Sequence, residues 1–208
     1  PFSAESWQLY GDIDASISSD ALNNSLSAEI TASGSGAGLQ QNNFKFTQQP
    51  YHGSLWVKGN MPDGLKIEFM DGETVLGEAA ISAPDSSWDD FPFTITPSSS
   101  TENGSMRIIS QGSGTVKIDQ VSMMGQDSID TGGYRPDLLE AVEGLNPPII
   151  RWPGGCFASL YFWKDAIGPQ HTRKIYPANM WDDQDINSYG TDEFIRMCEE
   201  IGSEPLLV

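Results

Sequence analysis

The stretch from Ile149 to Pro169, IIRWPGGCFASLYFWKDAIGP, constrains the fold more than any other part of the chain. Its two leading isoleucines are β-branched and apolar, which is typical of a short buried strand, and Arg151 stands where that strand ends. The Pro-Gly-Gly that follows predicts an irregular turn, because glycine reaches positive φ values without a steric penalty. A charge at a strand end, followed by a glycine turn and clustered aromatic residues, indicates a site rather than a plain surface loop.

The composition excludes several classes of protein. The chain has 29 acidic residues against 11 Lys and Arg, a formal net charge of −18, so nucleic acid and anionic membranes are unfavourable partners. Two cysteines, Cys156 and Cys198, are too few for a disulfide-stapled scaffold. The two histidines, His52 and His171, lack acidic or cysteine neighbours at ligand spacing, and we expect both to be solvated. We therefore expect no metal site and no cofactor.

Residues 1–126 are predicted to form an antiparallel β-sandwich. Short alternating apolar runs are separated there by Gly, Asn, Asp, Ser and Pro, which is the pattern of a sheet protein with many turns. Leu65, Ile67 and Phe69 share one face of a strand, and the Asp71-Gly72 dipeptide is typical of the hairpin turn after it.

Several side chains of the predicted sandwich have more than one interpretation. Trp56 and Trp88 are either core residues, the commoner role of large aromatics in sandwiches, or platforms on which a sugar ring stacks. Asn23 and Asn103 fit the N-glycosylation pattern, which matters only in a eukaryotic host. Calcium binding at acidic turns such as Asp12-Ile13-Asp14 also stays open.

Residues 127–208 follow the order helix, strand, long loop, helix and strand, which is typical of a parallel α/β fold. Arg135 to Leu145 is predicted as the first helix. The second begins with Thr191 as its cap and ends at Gly202. The apolar run Leu206 to Val208 predicts another strand. Two parallel strands cannot cover both faces of a sheet or close it, so we expect an incomplete fold that another segment completes.

Two longer phrases resemble glycoside hydrolase family 51, the α-L-arabinofuranosidases: Arg151–Pro169 and Trp181–Val208, the latter reading WDDQDINSYGTDEFIRMCEEIGSEPLLV. The similarity is close from about Arg135 to Val208. Residues 1–126 resemble more loosely the carbohydrate-binding-module-like sandwich of some family members, for example in SLWVKG at Ser54–Gly59. The resemblance implies that residues 127–208 are the first part of a (β/α)8 TIM barrel, incomplete in this chain.

The family resemblance also implies the chemistry. Its members are retaining, exo-acting enzymes that release arabinofuranosyl side chains from arabinoxylan or arabinan. Double displacement uses two glutamates ~5–5.5 Å apart, and both are expected outside this chain, which should be inactive alone. Four glutamates of this chain are rejected as replacements for the catalytic pair, because they lie on or just after a predicted helix and we expect them to be solvated. These are Glu193, Glu199, Glu200 and Glu204.

By the same resemblance this chain supplies one rim of the sugar pocket, at the C-terminal end of a barrel strand. The implied substrate-binding residues are Arg151, beside the nucleophilic carboxylate, Cys156, lining the sugar, and Trp181, at the pocket mouth. The loop residues that shape the site are Gly154, Gly155, Phe157 and Trp163.

Each of these residues also has a structural interpretation. Arg151 is alternatively a structural ion-pair residue, Cys156 a buried inert thiol, and Trp181 ordinary loop core. For Trp163 to Asp165 we favour loop packing with a local salt bridge.

The expected partners are a polysaccharide or oligosaccharide with arabinofuranose side chains and the remaining segment of the same enzyme. A homo-oligomer is compatible with the resemblance. The acidic, lysine-poor composition fits a secreted, extracellular protein, or a periplasmic one in a bacterium. The alternative function is a non-catalytic carbohydrate-binding protein that acts through the β-sandwich; in a third interpretation the sandwich only braces the barrel.

Overall fold

The structure, a computed structural model, describes residues 6–178 and 183–208. It divides into two compact units, Pro1–Gln126 and Asp127–Val208. Within the described ranges, every helix is too short or too polar to span a lipid bilayer.

The described part of the N-terminal unit is built from ten strands. They are β1 Gln8–Tyr10, β2 Ile13–Ser18, β3 Ser27–Ala32, β4 Gly38–Phe46, β5 Tyr51–Asn60, β6 Leu65–Asp71, β7 Thr74–Ile81, β8 Asp89–Ile95, β9 Thr101–Ser110 and β10 Gly114–Gly125. Sheet I has the order β1-β4-β9-β6-β7, and sheet II has the order β2-β3-β10-β5-β8. All pairings are antiparallel, and one hydrophobic core draws side chains from both sheets. The predicted antiparallel β-sandwich is confirmed.

The strand β6 shows how alternation builds this core. Leu65, Ile67 and Phe69 are fully buried between the sheets, as their shared face predicts. The hairpin that follows pairs Asp71 with Thr74 across two turn residues, and Gly72 takes a φ of 57°. A left-handed φ at a hairpin turn favours glycine, so the predicted turn is also confirmed.

The tryptophans of the sandwich lie in different surroundings. Leu55 and Val57 are fully buried, whereas Trp56 between them is half-buried on the opposite face of β5. The interpretation of Trp56 as a core residue is therefore wrong, because the pleat turns it away from the core. Trp88 is half-buried just before β8, and its Nε1–H is buried without an acceptor among the described residues.

The C-terminal part contains short helices and strands. The α-helices are α1 Gln126–Asp130, α2 Pro136–Gly144 and α3 Thr191–Ile201, and the strands are β11 Ile149–Trp152, β12 Tyr176–Ala178, β13 Asp183–Asp185 and β14 Glu204–Leu207. The 3-10 helices are Gly155–Ser159, Trp163–Ala166 and Gln170–Thr172. Strands β11 and β14 pair in parallel, as the α/β pattern predicts, whereas β12 and β13 pair antiparallel.

The expectation of buried apolar strands in this unit is wrong for the chain as described. Ile149 is 57% exposed and Leu206 is 46% exposed. Helix α2 contributes no buried residue, and Leu145 just beyond it is also exposed. Two strands offer too little surface for packing on both faces, so Ile149, Leu206 and Leu207 remain uncovered among the described residues.

Helix α3 begins differently from its prediction. Its N-cap is Gly190 rather than Thr191, and the Glu193 carboxylate accepts a hydrogen bond of 2.7 Å from the Gly190 N–H. A Cβ at position 190 would lie 1.9 Å from the Ala166 carbonyl oxygen, so the close backbone approach there requires a glycine. The helix ends at Gly202, as predicted, with a left-handed φ of 72°.

Candidate functional site

Arg151 lies near the C-terminal end of β11, opposite Leu206 of β14 in the parallel register. Its side chain is exposed. Within residues 6–178 and 183–208 the guanidinium makes no ion pair and no hydrogen bond, so nothing there supports a structural ion-pair role. A guanidinium with five unused donors at a strand end is available to a carboxylate or to sugar hydroxyls.

The turn after β11 is irregular, as predicted. Pro153 is buried and follows a cis peptide bond, Gly154 is extended, and Gly155 takes a φ of 58°. Gly155 opens the 3-10 helix that carries Cys156 and Phe157. Arg151 and this short helix are thus separated only by the turn.

Cys156 is exposed, so its interpretation as a buried inert thiol is wrong. Neither Cys156 nor Cys198 forms a disulfide, and Cys198 is buried on the inner face of α3. The half-buried Phe157 ring lies 5.7 Å from the Tyr161 ring.

Trp152 anchors the strand beneath this turn. Its indole stacks on Phe194 of α3 with ring centroids 5.5 Å apart, and Tyr161 meets it edge-on at 4.5 Å. Alternation along β11 sends Trp152 to the opposite face from Arg151. The packing of the tryptophan therefore fixes the direction in which the arginine points.

Trp163 is 52% exposed, so the preferred interpretation as loop packing is wrong. The Lys164 ammonium lies 5.6 Å from the centre of its ring. The expected local salt bridge is present, because Asp165 pairs with Lys174 of the same loop at 3.0 Å; it also accepts a hydrogen bond from the Tyr176 hydroxyl. The Tyr176 and then the Lys174 hydrogen bonds hold the pKa of Asp165 below its ordinary value.

Arg173 organises the long loop and was not identified from the sequence. The side chain is buried, and it donates to the carbonyl oxygens of Gly168 and Asn187 at 2.8–3.0 Å. Its two Nη atoms also bind the two carboxylate oxygens of Glu193 at 3.0 and 2.8 Å. The expectation that Glu193 is solvated is therefore wrong.

Electrostatics explain the charge state of this pair. Burial acts to raise the pKa of Glu193, but hydrogen bonds from Arg173 and from the Gly190 N–H outweigh it, so the pKa lies below its ordinary value. Glu193 makes the carboxylate half of a capping box with the Gly190 N–H, but glycine has no side chain for the other half, so the sequence carries no complete capping-box signal. With both oxygens in use, Glu193 is no candidate for an acid, a base or a nucleophile.

The remaining predicted residues are distributed as follows. Trp181 lies outside the described residues. Glu199, Glu200 and Glu204 are exposed, as expected.

Three residues that the sequence analysis singled out lie in the sandwich. The expectation that His52 is solvated is wrong, because it is half-buried and its ring nitrogens lie 2.9 Å from Gln126 Oε1 and 3.1 Å from Thr94 Oγ1. Asn103 is exposed on β9, and Asn23 is half-buried. The described part of the chain holds no group of three or more His, Cys, Asp or Glu side chains that could hold a metal ion.

The two units are similar to different known proteins. Residues 141–208 match the model of the alpha-L-arabinofuranosidase 1 domain. Alpha-L-arabinofuranosidase C of Emericella nidulans is 43% identical over 83 residues, 40% of this chain and 16% of that protein. The intracellular exo-alpha-L-arabinofuranosidase of Bacteroides ovatus is 47% identical over 74 residues, 35% of this chain and 14% of that protein. This chain thus spans about one sixth or less of their length.

The sandwich is similar in fold to a solved structure. The N-terminal CBM22-1-CBM22-2 tandem domain of Xyn10C from Paenibacillus barcinonensis superposes with a TM-score of 0.50 and 11% sequence identity. The superposition covers 59% of this chain and 42% of that chain.

Proposed function

We propose that this chain is part of a retaining α-L-arabinofuranosidase, because residues 141–208 match the model of the alpha-L-arabinofuranosidase 1 domain. The match of the C-terminal unit to that domain is the observation that carries the proposal. The substrate class is a polysaccharide or oligosaccharide with arabinofuranose side chains, such as arabinoxylan or arabinan. The two catalytic glutamates are contributed by residues outside this sequence.

The parallel pairing of β11 and β14 supports the start of a (β/α)8 barrel. A strand, a long loop, helix α3 and a second parallel strand make one repeat of such a barrel. The exposed apolar side chains Ile149, Leu206 and Leu207 supply the surface on which further strands and helices would pack. We therefore propose that the remaining segment of the enzyme covers these strands.

Arg151 is the side chain proposed to face the sugar pocket. In a TIM barrel the active site lies at the C-terminal ends of the strands, where Arg151 stands. A guanidinium beside the nucleophilic carboxylate lowers the pKa of that carboxylate and keeps it ionised for attack on the anomeric carbon. The exposed Cys156 and the glycine turn then shape the rim next to the ring.

Hydrolysis of 4-nitrophenyl α-L-arabinofuranoside tests the proposal. The 208-residue chain alone should release no nitrophenol, whereas the full-length gene product should release it with retention of the anomeric configuration, followed by NMR. A full-length product without this activity overturns the proposal. Inversion at the anomeric carbon would overturn the double-displacement mechanism but not the proposed substrate class.

A further inference from the structure

The outer face of sheet I carries charged side chains where a sandwich normally exposes them to water. The central strand β9 is buried on both faces from Gly104 to Ser110. Arg107 on its outer face is only 6% exposed, and Glu68, directly opposite on β6, is 7% exposed. Arginine and glutamate are almost never this buried unless they are paired. The centre of this face is therefore polar and is largely covered by neighbouring side chains.

Arg107 is held in place but not neutralised. Its Nε donates to Gln40 Oε1 at 2.7 Å, and its guanidinium carbon lies 3.9 Å from the centre of the Tyr10 ring. In the described ranges, neither an ion pair with Glu68 nor any hydrogen bond from the Nη atoms is present. Four of the five N–H donors of this arginine thus have no acceptor within the described residues.

The neighbouring polar groups form an ordered row. Gln40 Nε2 donates to Asn42 Oδ1 at 2.7 Å, and Asn42 Nδ2 donates to Gln8 Oε1 at 3.1 Å. On the other side of Arg107, Glu68 Oε1 lies 2.8 Å from the Lys66 ammonium. We call this row the polar band; its members are Tyr10, Gln40, Asn42, Arg107, Glu68 and Lys66. Their side chains are fixed before any ligand arrives, which lowers the entropic cost of binding.

We propose that the polar band is a binding site for a neutral polysaccharide. Its cations Arg107 and Lys66 are balanced by Glu68 and by Glu78, which lies 3.1 Å from the Lys66 ammonium. This balance disfavours polyanions, as does the net charge of −18. Planar amide, carboxylate and guanidinium groups supply the paired donors and acceptors that adjacent hydroxyl groups require.

The dimensions of the band favour a polymer over a single sugar. With the flanking residues Gln8 on β1 and Glu78 on β7, the polar band extends across all five strands of sheet I. At ~4.8 Å between neighbouring strands this row is about 19 Å long, the length of an oligomer.

The outer face of sheet II is less suited to this role, although it carries Trp56. Its Lys58 and Lys117 ammonium groups both bind the Asp20 carboxylate, at 3.0 and 2.7 Å. Their charges are thus already satisfied within the protein. Trp56 therefore serves as the competing surface in the test.

Binding of the whole 208-residue chain to soluble arabinoxylan, linear arabinan and polygalacturonate, followed by affinity electrophoresis, tests the polar band. Arg107→Lys keeps the positive charge and the aliphatic part of the side chain but loses the planar guanidinium group. We expect it and Asn42→Ala to weaken binding to a neutral polymer about tenfold or more. Lys45→Ala, an exposed cation of β4, and Trp56→Ala should leave binding unchanged. Circular dichroism confirms that each variant is folded.

Three results would overturn the site: no binding of the unmodified chain to either neutral polymer, binding unaffected by both polar-band variants, or loss of binding in Trp56→Ala instead. Preference for polygalacturonate would overturn the neutral ligand class. Only the choice of probes rests on the proposed arabinofuranosidase function. Because binding is measured without turnover, a failure of hydrolysis by the full-length product would leave this result standing.

Discussion

Arg173 and Glu193 form a two-point ion pair, in which Nη1 lies 3.0 Å from Oε2 and Nη2 lies 2.8 Å from Oε1. The arginine is buried and reaches from the long loop to the first turn of α3. Parallel two-point geometry fixes both planes, which a single contact would not. The pair therefore ties the loop that follows Arg151 and Cys156 to the helix that supports β11.

Removing the carboxylate charge should destabilise the C-terminal unit. Glu193→Gln leaves the Arg173 guanidinium buried without its counter-ion, which we expect to cost about 3 kcal/mol of unfolding free energy. Urea unfolding and limited proteolysis of the loop measure the effect. Glu200→Gln, an exposed position on the same helix, is the control and should change stability by less than about 0.5 kcal/mol. Equal stability of both variants would contradict a structural role for the pair.

A methyl group at the cap of α3 should also be unfavourable. In Gly190→Ala the new Cβ would meet the Ala166 carbonyl oxygen at 1.9 Å, so the 3-10 segment and the helix must move apart. Overpacking of this kind costs about 1–3 kcal/mol, read from the thermal unfolding midpoint. Gly144→Ala is the matched control, because nothing lies within 4 Å of its Cβ. At that helical position alanine should be neutral or stabilising by up to ~1 kcal/mol.

Asp20 should make the stability of the sandwich depend on pH in the acidic range. Hydrogen bonds from Lys117 and then Lys58 lower the pKa of Asp20 to about 2, from an ordinary value of 3.8. A lowered pKa in the folded state stabilises the fold above the unfolded-state pKa, and this contribution is lost as the pH falls through about 2. Asp20→Asn should thus lower the urea midpoint near neutral pH, and the difference should shrink in acid. A difference that persists or grows in acid would show that another feature of Asp20 is responsible. Asp12→Asn, an exposed position, provides the comparison.

Arg151→Ala should reduce the activity of the full-length enzyme. Loss of a charged group beside the reacting carboxylate lowers kcat/KM about a hundredfold, by analogy with removal of a transition-state donor. Without the cation the pKa of the nucleophile rises, so the acidic limb of the pH–rate profile should move to higher pH. Arg196→Ala, an exposed arginine of α3, should retain both the rate and the profile. A normal pH profile in Arg151→Ala would remove Arg151 from the site.

The sequence by itself determined those features that depend only on residues close together along the chain. Alternation placed Leu65, Ile67 and Phe69 on one buried face, and the Asp71-Gly72 turn followed from the conformational freedom of glycine. The end of α3 at Gly202 has the same local cause. The phrase that begins at Arg151 was distinctive enough to indicate the arabinofuranosidase family without any coordinates.

Only the tertiary structure decided the partners of the charged residues. Arg173 meets Glu193 across 20 residues and Arg107 meets Gln40 across 67, and no local pattern announces contacts at such separations. The same limit explains why Glu193 was expected to be solvated and why Gly190 was not identified as the cap. Periodicity tells which face of an element a side chain occupies, whereas the charge that it meets there depends on how distant strands and loops are brought together.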